Sequence, residues 1–244
     1  MIKLAIIGYG KMGKEIENCA KDLDFSIACI IDKDNNLRND IIRYKPNVAI
    51  EFTNADAVVN NIKTCVDMNL PVVSGTTGWD KNIDEVKNYT IRNNGNVLWG
   101  SNFNIGVNLW FDFLNELACI MKNYDLYKVE LEEIHHIHKL DKPSGTAIQA
   151  ANILMKQYPI LKNWSLDHTE DTLHINSIRQ GEEVGTHRVI FKSPYDQISF
   201  EHKSFSRKAL AVGALAGAKW IIDNAGFFIF HDVYQSVFEK FNKA

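Results

Sequence analysis

Residues 4–13 read Leu4-Ala5-Ile6-Ile7-Gly8-Tyr9-Gly10-Lys11-Met12-Gly13. Four apolar residues run straight into glycines spaced G-x-G-x-x-G, and Lys14–Leu23 continues as an amphipathic helical pattern. In this setting each glycine has a physical task. Gly8 permits a tight turn, Gly10 lets a pyrophosphate approach the backbone, and Gly13 allows close helix packing. The start of the helix adds N–H donors and a partial positive charge. Asp32 follows the next apolar run, where a carboxylate can accept hydrogen bonds from an adenosine ribose. The glycine spacing alone is a weak signal, but strand, glycines, helix and placed acid together predict a dinucleotide site. Asp32 repels a 2′-phosphate, which favours NADH, while Lys33 and Lys11 soften that discrimination; NADH and NADPH are both candidate cofactors.

Outward from this stretch, short apolar runs alternate with helical patterns. Lys3–Ile7, Ser26–Ile31, Val48–Phe52, Pro71–Ser74 and Val97–Trp99 read as buried parallel strands; Ala55–Met68 and Ile83–Asn93 read as helices. This alternation predicts an α/β domain with a doubly wound parallel sheet. The Asn/Asp-rich stretch from Ile31 to Lys45 reads as a loop with at most one helical turn. Two later turns, Ser74-Gly75-Thr76-Thr77-Gly78 and Gly100-Ser101-Asn102-Phe103, follow the fourth and fifth strands. Ligands of open α/β sheets bind at the carboxyl ends of strands, so both turns are expected to face the nucleotide.

The pattern changes after Phe103. A long helix is expected over Gly106–Asn123, a strand with one wet face over Leu126–Ile134, and a helix over Ala147–Tyr158. Leu173–Ile178, Thr186–Phe191 and Gln197–His202 follow as strands with few helices between them, which predicts an α+β domain with a largely antiparallel sheet. From Lys208 onward a helical run rich in small residues is expected to pack closely on a sheet and return to the first domain.

The 244 residues are 45% hydrophobic and 23% charged, the composition of an ordinary soluble globular protein. A net charge of −3 with both signs interspersed points away from nucleic-acid partners. No run approaches the length of a membrane span, and the N-terminal apolar run is too short for a signal peptide. Cys19, Cys29, Cys65 and Cys119 lack metal-site spacing and read as free thiols, mostly in the core, of a cytoplasmic protein.

Glu130–Ala147, ELEEIHHIHKLDKPSGTA, crowds histidines, lysines and carboxylates beside a Pro-Ser-Gly-Thr turn. His135 and Lys139, four apart, share a face in either a strand or a helix; His136 and His138 form the other pair if the strand persists. An imidazole is a natural proton donor near neutrality, and a lysine can stabilise developing negative charge. Lys142, Glu132 and Glu133 would tune the local potential. The turn Ser144-Gly145-Thr146 opens the next helix, capped by Ser144 or Thr146, and its N–H groups suit a carboxylate. A charged hairpin edge before a well-capped helix explains the same letters equally well. Zinc on His135, His136 and His138 is disfavoured, because a strand splits these ligands between two faces; no metal is expected. A Schiff-base role for Lys139 is disfavoured by the surrounding charge. His168, His174, His187, His202 and His231 read as surface or core residues, and Arg179 as a solvated rim residue.

Together these segments resemble the dihydrodipicolinate reductase family over essentially the whole chain. The resemblance rests on Glu130–Ala147, the GTTG turn, Ser101-Asn102-Phe103 with Gly106-Val107-Asn108, and the Ser177/Arg179/Gly181/Gly185/His187 pattern. It implies a Rossmann-type dinucleotide domain, residues 1–103 and 208–244, and a substrate-binding and oligomerisation domain, residues 104–207. It implies catalysis by His135 as proton donor and Lys139 as its assistant, with His136, Ser144, Gly145 and Thr146 holding a small dicarboxylate substrate. The nucleotide would be held by Gly8, Tyr9, Gly10, Lys11, Met12, Gly13, Asp32, Gly75, Thr76, Thr77, Gly100, Ser101, Asn102 and Phe103. A reductive step of lysine and diaminopimelate synthesis, and a homotetramer, are the further implications. The chain departs from many members in a glycine loop one residue shorter, with Lys11 where an arginine is common.

Overall fold

A computed structural model describes residues 1–33 and 35–242. The chain forms two compact units, residues 1–105 with 207–244 and residues 106–206. Lys243 and Ala244, assigned above to the first domain, lie outside the described residues, as does Asp34 of the expected loop.

The first unit opens with β1 (Ile2–Ile7), α1 (Lys11–Ala20), β2 (Phe25–Ile31), α2 (Leu37–Tyr44), β3 (Val48–Glu51), α3 (Ala55–Asp67), β4 (Val72–Ser74), α4 (Ile83–Arg92) and β5 (Asn96–Trp99). The second contains α5 (Ile105–Met121, whose first residue belongs to the first unit), β6 (Lys128–His135), α6 (Gly145–Gln157), β7 (Asn163–Ser165), β8 (Thr172–Arg179), β9 (Gly185–Lys192) and β10 (Gln197–Ser204). The chain then returns to the first unit as α7 (Lys208–Ile221), β11 (Gly226–Ile229) and α8 (Phe230–Asn242).

Six parallel strands in the order β11-β5-β4-β3-β1-β2 make the first sheet. Successive side chains of a strand point to opposite faces, so β1 feeds two cores. Leu4 and Ile6 pack with Phe103, Phe230 and the small residues of α7, while Ala5 and Ile7 pack with Val58, Ile62 and Val86. The small residues are needed on α7 because it lies very close: a Cβ on Gly213 would collide with the Phe103 carbonyl. The strand order reverses between β1 and β3, on either side of which β2 and β4 are laid down. Ligands of doubly wound sheets bind at such a switch point.

Three elements depart from the sequence reading. The expected loop contains the two-turn helix α2, because Asn36 is a helix cap and not simply a turn residue. Its side chain accepts the Asn39 N–H at 3.0 Å, and Leu37 and Ile41 turn the helix onto the core. After α7 the chain adds a sixth strand, β11, and a final helix, α8, neither of which was marked. The second sheet, ordered β10-β9-β6-β8-β7, is mixed, not largely antiparallel: β10/β9 and β9/β6 are antiparallel, but β6/β8 and β8/β7 are parallel. The reason is α6, which acts as the crossover that a parallel β6/β8 pair requires. Leu131, Leu173, Ile175, Val189 and Phe191 cover one face of that sheet and pack with Phe111, Leu114, Ala150 and Leu154. No helix among the described residues is long and apolar enough to cross a membrane.

Candidate active site

The carboxyl ends of β1, β2 and β3 border a cleft of about 460 Å³, lined by Gly8, Tyr9, Gly10, Asp32, Lys33 and Thr53 among others. Gly8 has φ +91°, and a Cβ there would collide with the Phe52 carbonyl. A Cβ on Gly13 would strike the Gly8 carbonyl, whereas the space over Gly10 is open. Gly10 also begins α1 without a side-chain cap, so the first N–H groups of the helix are left for an anion. These features fit a dinucleotide's pyrophosphate. Asp32 stands at the cleft edge, its Oδ1 accepting the Lys33 N–H at 3.0 Å.

Beneath the neighbouring turns lies Glu51, fully buried. Its Oε2 accepts from Ser74 Oγ at 2.6 Å, and its Oε1 from Thr53 N and Thr76 Oγ1 at 3.1 Å each, and from the Thr53 hydroxyl. The carboxylate therefore ties the end of β3 to the Gly75-Thr76-Thr77 turn. The Thr76 carbonyl meanwhile accepts from Trp79 and Trp99. The Thr76 side chain thus faces inward and is already committed. Phe103, also assigned to the nucleotide, is 1% exposed and packs at the centre of the core against Phe52 and Phe230. Ser101 and Thr77 are exposed, and Gly100 and Asn102 lie in the turn between them and the core.

In the second unit the chemistry gathers at the end of β6. Leu131, Glu133 and His135 alternate onto its buried face. The register sets Ser177 of β8 and His187 of β9 on either side of Glu133, and Arg179 beside His135. Glu133 is fully buried. Its Oε1 accepts Ser177 Oγ at 2.5 Å and both terminal nitrogens of Arg179 at 3.2 Å, and the Ser144 N–H reaches both oxygens at 3.1 Å. Oε2 faces two imidazoles, His135 Nδ1 at 3.4 Å and His187 Nε2 at 3.8 Å.

Burial presses the His135 pKa down to about 4, against the pull of Glu133 and with the push of Lys139 and Arg179. His187 is held at about 3, again chiefly by burial. Burial alone would raise the Glu133 carboxyl, but hydrogen bonds from Ser144 and Ser177 bring it below the usual range. Glu133, His135 and His187 are also close enough together to hold a metal ion. The Arg179 guanidinium, both of whose terminal nitrogens donate to the Glu133 carboxylate, repels a cation, so the set is suited to handling protons. It is not the His135, His136, His138 trio weighed above.

The strand ends at His135, so the shared-face argument for Lys139 does not apply. The chain turns instead, with Lys139 N donating to the His136 carbonyl at 3.1 Å. Lys139 Nζ pairs with Asp141 at 2.8 Å, and its contribution to the His135 pKa places its charge near that ring. His136 is half-buried with its ring 6.1 Å from that of exposed His138, which lies 3.6 Å from Glu182. Ser144, not Thr146, caps α6, accepting the Ala147 N–H at 3.2 Å; Thr146 lies within the helix. Nothing stands within 4 Å of a Cβ position on Gly145, so the helix start is open to a ligand.

Sequence reasoning missed His187, read as an ordinary histidine, and misjudged Arg179. Far from being a solvated rim residue, Arg179 donates to Glu133 and to the carbonyls of Lys139, Asp141 and Ile178. The signal available was strand parity, since Ser177 and Arg179, like Gly185 and His187, alternate onto a single face.

A parallel sheet with a glycine-lined cleft at its switch point, joined to a unit with a buried imidazole–carboxylate cluster, defines a two-unit oxidoreductase of the nicotinamide-nucleotide class. Family models described as dihydrodipicolinate reductase, N-terminus, and dihydrodipicolinate reductase, C-terminus, match residues 2–103 and 106–234. The chain is 37% identical over 240 residues to a 4-hydroxy-tetrahydrodipicolinate reductase of Christiangramia forsetii, covering 98% of this chain and all of that one. It is 31% identical to the enzyme of that name from Thermosipho africanus, over 97% of this chain and all of that one. Among solved structures, a dipicolinate-bound dihydrodipicolinate reductase from Paenisporosarcina sp. TG-14 shares the fold with TM-score 0.80 and 23% identity, over 96% of this chain and 99% of that one. An amine dehydrogenase from Mycobacterium smegmatis matches at TM-score 0.55 and 7% identity, over 95% of each chain. The chain belongs to the dihydrodipicolinate reductase family.

Proposed function

We propose that the protein reduces 4-hydroxy-tetrahydrodipicolinate, a cyclic dicarboxylate, to tetrahydrodipicolinate on the route to diaminopimelate and lysine. The observation that carries this reading is the Glu133–His135–His187 cluster beside the open, N–H-bearing start of α6 in a chain of this family. The nicotinamide nucleotide, when bound along Gly8–Gly13 and Asp32 with the Gly75–Thr77 and Gly100–Phe103 turns, supplies a hydride. Loss of the 4-hydroxyl as water gives an unsaturated cyclic imine; hydride addition to it leaves an electron pair that needs one proton, and we assign the giving of that proton to His135. Ligand-free His135 is neutral near pH 7. Two substrate carboxylates nearby favour the charged imidazole and raise its proton affinity.

Lys139 stabilises the negative charge that develops beside His135. His136 and the helix start at Gly145 and Thr146 hold the carboxylates, and Ser144, whose N–H is committed to Glu133, sets the turn that presents that helix start. Asp32 favours NADH, and Lys11 and Lys33 let NADPH bind as well. Exposed apolar side chains of the second unit, such as Phe113 at 60% and Phe205 at 84%, support self-association, which we take to be a homotetramer. Free, buried Cys19, Cys29 and Cys65 support a cytoplasmic setting.

The test is oxidation of NADH and NADPH at 340 nm with freshly made product of dihydrodipicolinate synthase. Turnover with both, higher in kcat/KM for NADH and inhibited by pyridine-2,6-dicarboxylate, is the expected result. No turnover with either would refute the reading.

A further inference from the structure

Which nitrogen of His135 works, and what holds it there, follows from the two sides of the ring. We propose that Glu133 is a positioning residue that fixes the His135 ring with Nδ1–H toward its Oε2, and that the missing side chain at Gly185 keeps Nε2 open as the nitrogen that delivers the proton. This rests on the reading of His135 as the proton donor given above.

On the inner side, Glu133 cannot turn away. Its Oε1 is taken by Ser177 and Arg179, and the Ser144 N–H clamps both oxygens. That leaves Oε2, 3.4 Å from His135 Nδ1, a buried nitrogen with no formed hydrogen bond. A buried N–H lacking an acceptor is costly, and Oε2 is the acceptor on hand. In the ligand-free site this contact is long and not a formed hydrogen bond; catalytic pairs of this kind tighten when substrate binds. On the outer side, a Cβ at Gly185 would stand 3.1 Å from Nε2 and 3.3 Å from Cδ2 of His135. Any larger residue there would press on the nitrogen opposite the carboxylate.

The arrangement suits a donor. When the imidazolium gives up its Nε2 proton, the neutral ring left behind carries hydrogen on Nδ1, the tautomer Glu133 already holds, so no proton has to move within the ring. The charged groups around it have distinct effects. Glu133 and Asp141 favour the proton; Arg179 of β8 and Lys139 oppose it. Glu183, before β9, also feels the His135 charge. His187 approaches the same Oε2 from β9, its ring centroid 5.1 Å from that of His135, but burial keeps it neutral.

Nitrogen-15 NMR of the histidine rings in the ligand-free wild-type protein tests the assignment whether or not the protein turns over. Nδ1–H on His135 at pH 7 is expected; Nε2–H would overturn the proposal. Kinetics of Gly185→Ala and Glu133→Asp give the second arm. A displaced donor costs about tenfold or more in rate, so Gly185→Ala should lower kcat to that extent while KM and nucleotide affinity stay near wild type. Glu133→Asp should keep the Nδ1–H tautomer and shift the pH profile of kcat. Wild-type kcat in Gly185→Ala would overturn the role of the open side, even if Glu133→Asp does not fold. An inactive wild-type protein would instead count against the proposed function.

Discussion

Replacing Glu133 by Gln removes one charge from a fully buried carboxylate while almost keeping its shape. The side chain accepts from Ser177, from Arg179 and from the Ser144 N–H, and Arg179 is only 15% exposed at its side chain. A glutamine can turn its oxygen to Ser177 and Arg179, but its amide hydrogens then face the Ser144 N–H, donor against donor. Breaking a buried ion pair by removing one partner costs about 3–5 kcal/mol, because the other charge stays buried and unpaired. The retained acceptor puts Gln at the low end, about 3 kcal/mol, a large share of a typical stability of roughly 5–15 kcal/mol. Urea unfolding of the second unit, followed through Trp110 and Trp164, is the assay. With a urea dependence near 2 kcal/mol per molar, the midpoint should fall by about 1.5 M. The exposed control Glu170→Gln should stay within about 0.5 kcal/mol of wild type. A Glu133→Gln midpoint within the control's range would refute the claim that this carboxylate anchors the site.

Gly8→Ala should abolish nucleotide binding and lower stability, since the φ of +91° and the Phe52 carbonyl both exclude a side chain; NADH titration by fluorescence checks it, and normal binding would contradict the cleft assignment. Asp32→Ser should move the kcat/KM ratio toward NADPH, because the repulsion of a 2′-phosphate is removed; an unchanged ratio would place the ribose elsewhere. The second unit should lose stability in acid. The folded pKa values of His135 and His187, about 4 and about 3, lie below the ordinary 6.5, so the unfolded chain takes up protons first. Their contribution is full above about pH 6.5 and fades as pH falls toward 4, and the depressed Glu133 carboxyl adds a loss of the same sign below its usual range. Urea midpoints measured from pH 7.5 to 4.5 should fall steadily; a flat profile would contradict the buried cluster.

The parallel sheet was readable because strand, glycine turn and helix each follow from local chemistry. Gly8 and Gly13 are tied to their positions by backbone contacts that no other residue tolerates. What local chemistry could not reveal was pairing across the sheet. Nothing near Glu133 announces that Ser177 and His187 flank it, because that register is set by β8 and β9, more than forty residues away. The same limit hid the parallel β6/β8 pair, since strand letters do not carry direction. Asn36 misled for the opposite reason: one residue type serves both turns and helix caps, and only the burial of Leu37 and Ile41 decides between them. Phe103 and Thr76 show how a turn at the right strand end still spends side chains on the core.

The proton-donor role of His135 is tested most directly by the kcat of His135→Ala, with fresh substrate and saturating NADH, alongside nucleotide affinity measured on the same sample. General-acid catalysis contributes about 10²–10⁴ in rate, so a loss of that size with unchanged NADH affinity is expected. A near-normal kcat in His135→Ala would contradict the account, and the proton would have to come from elsewhere.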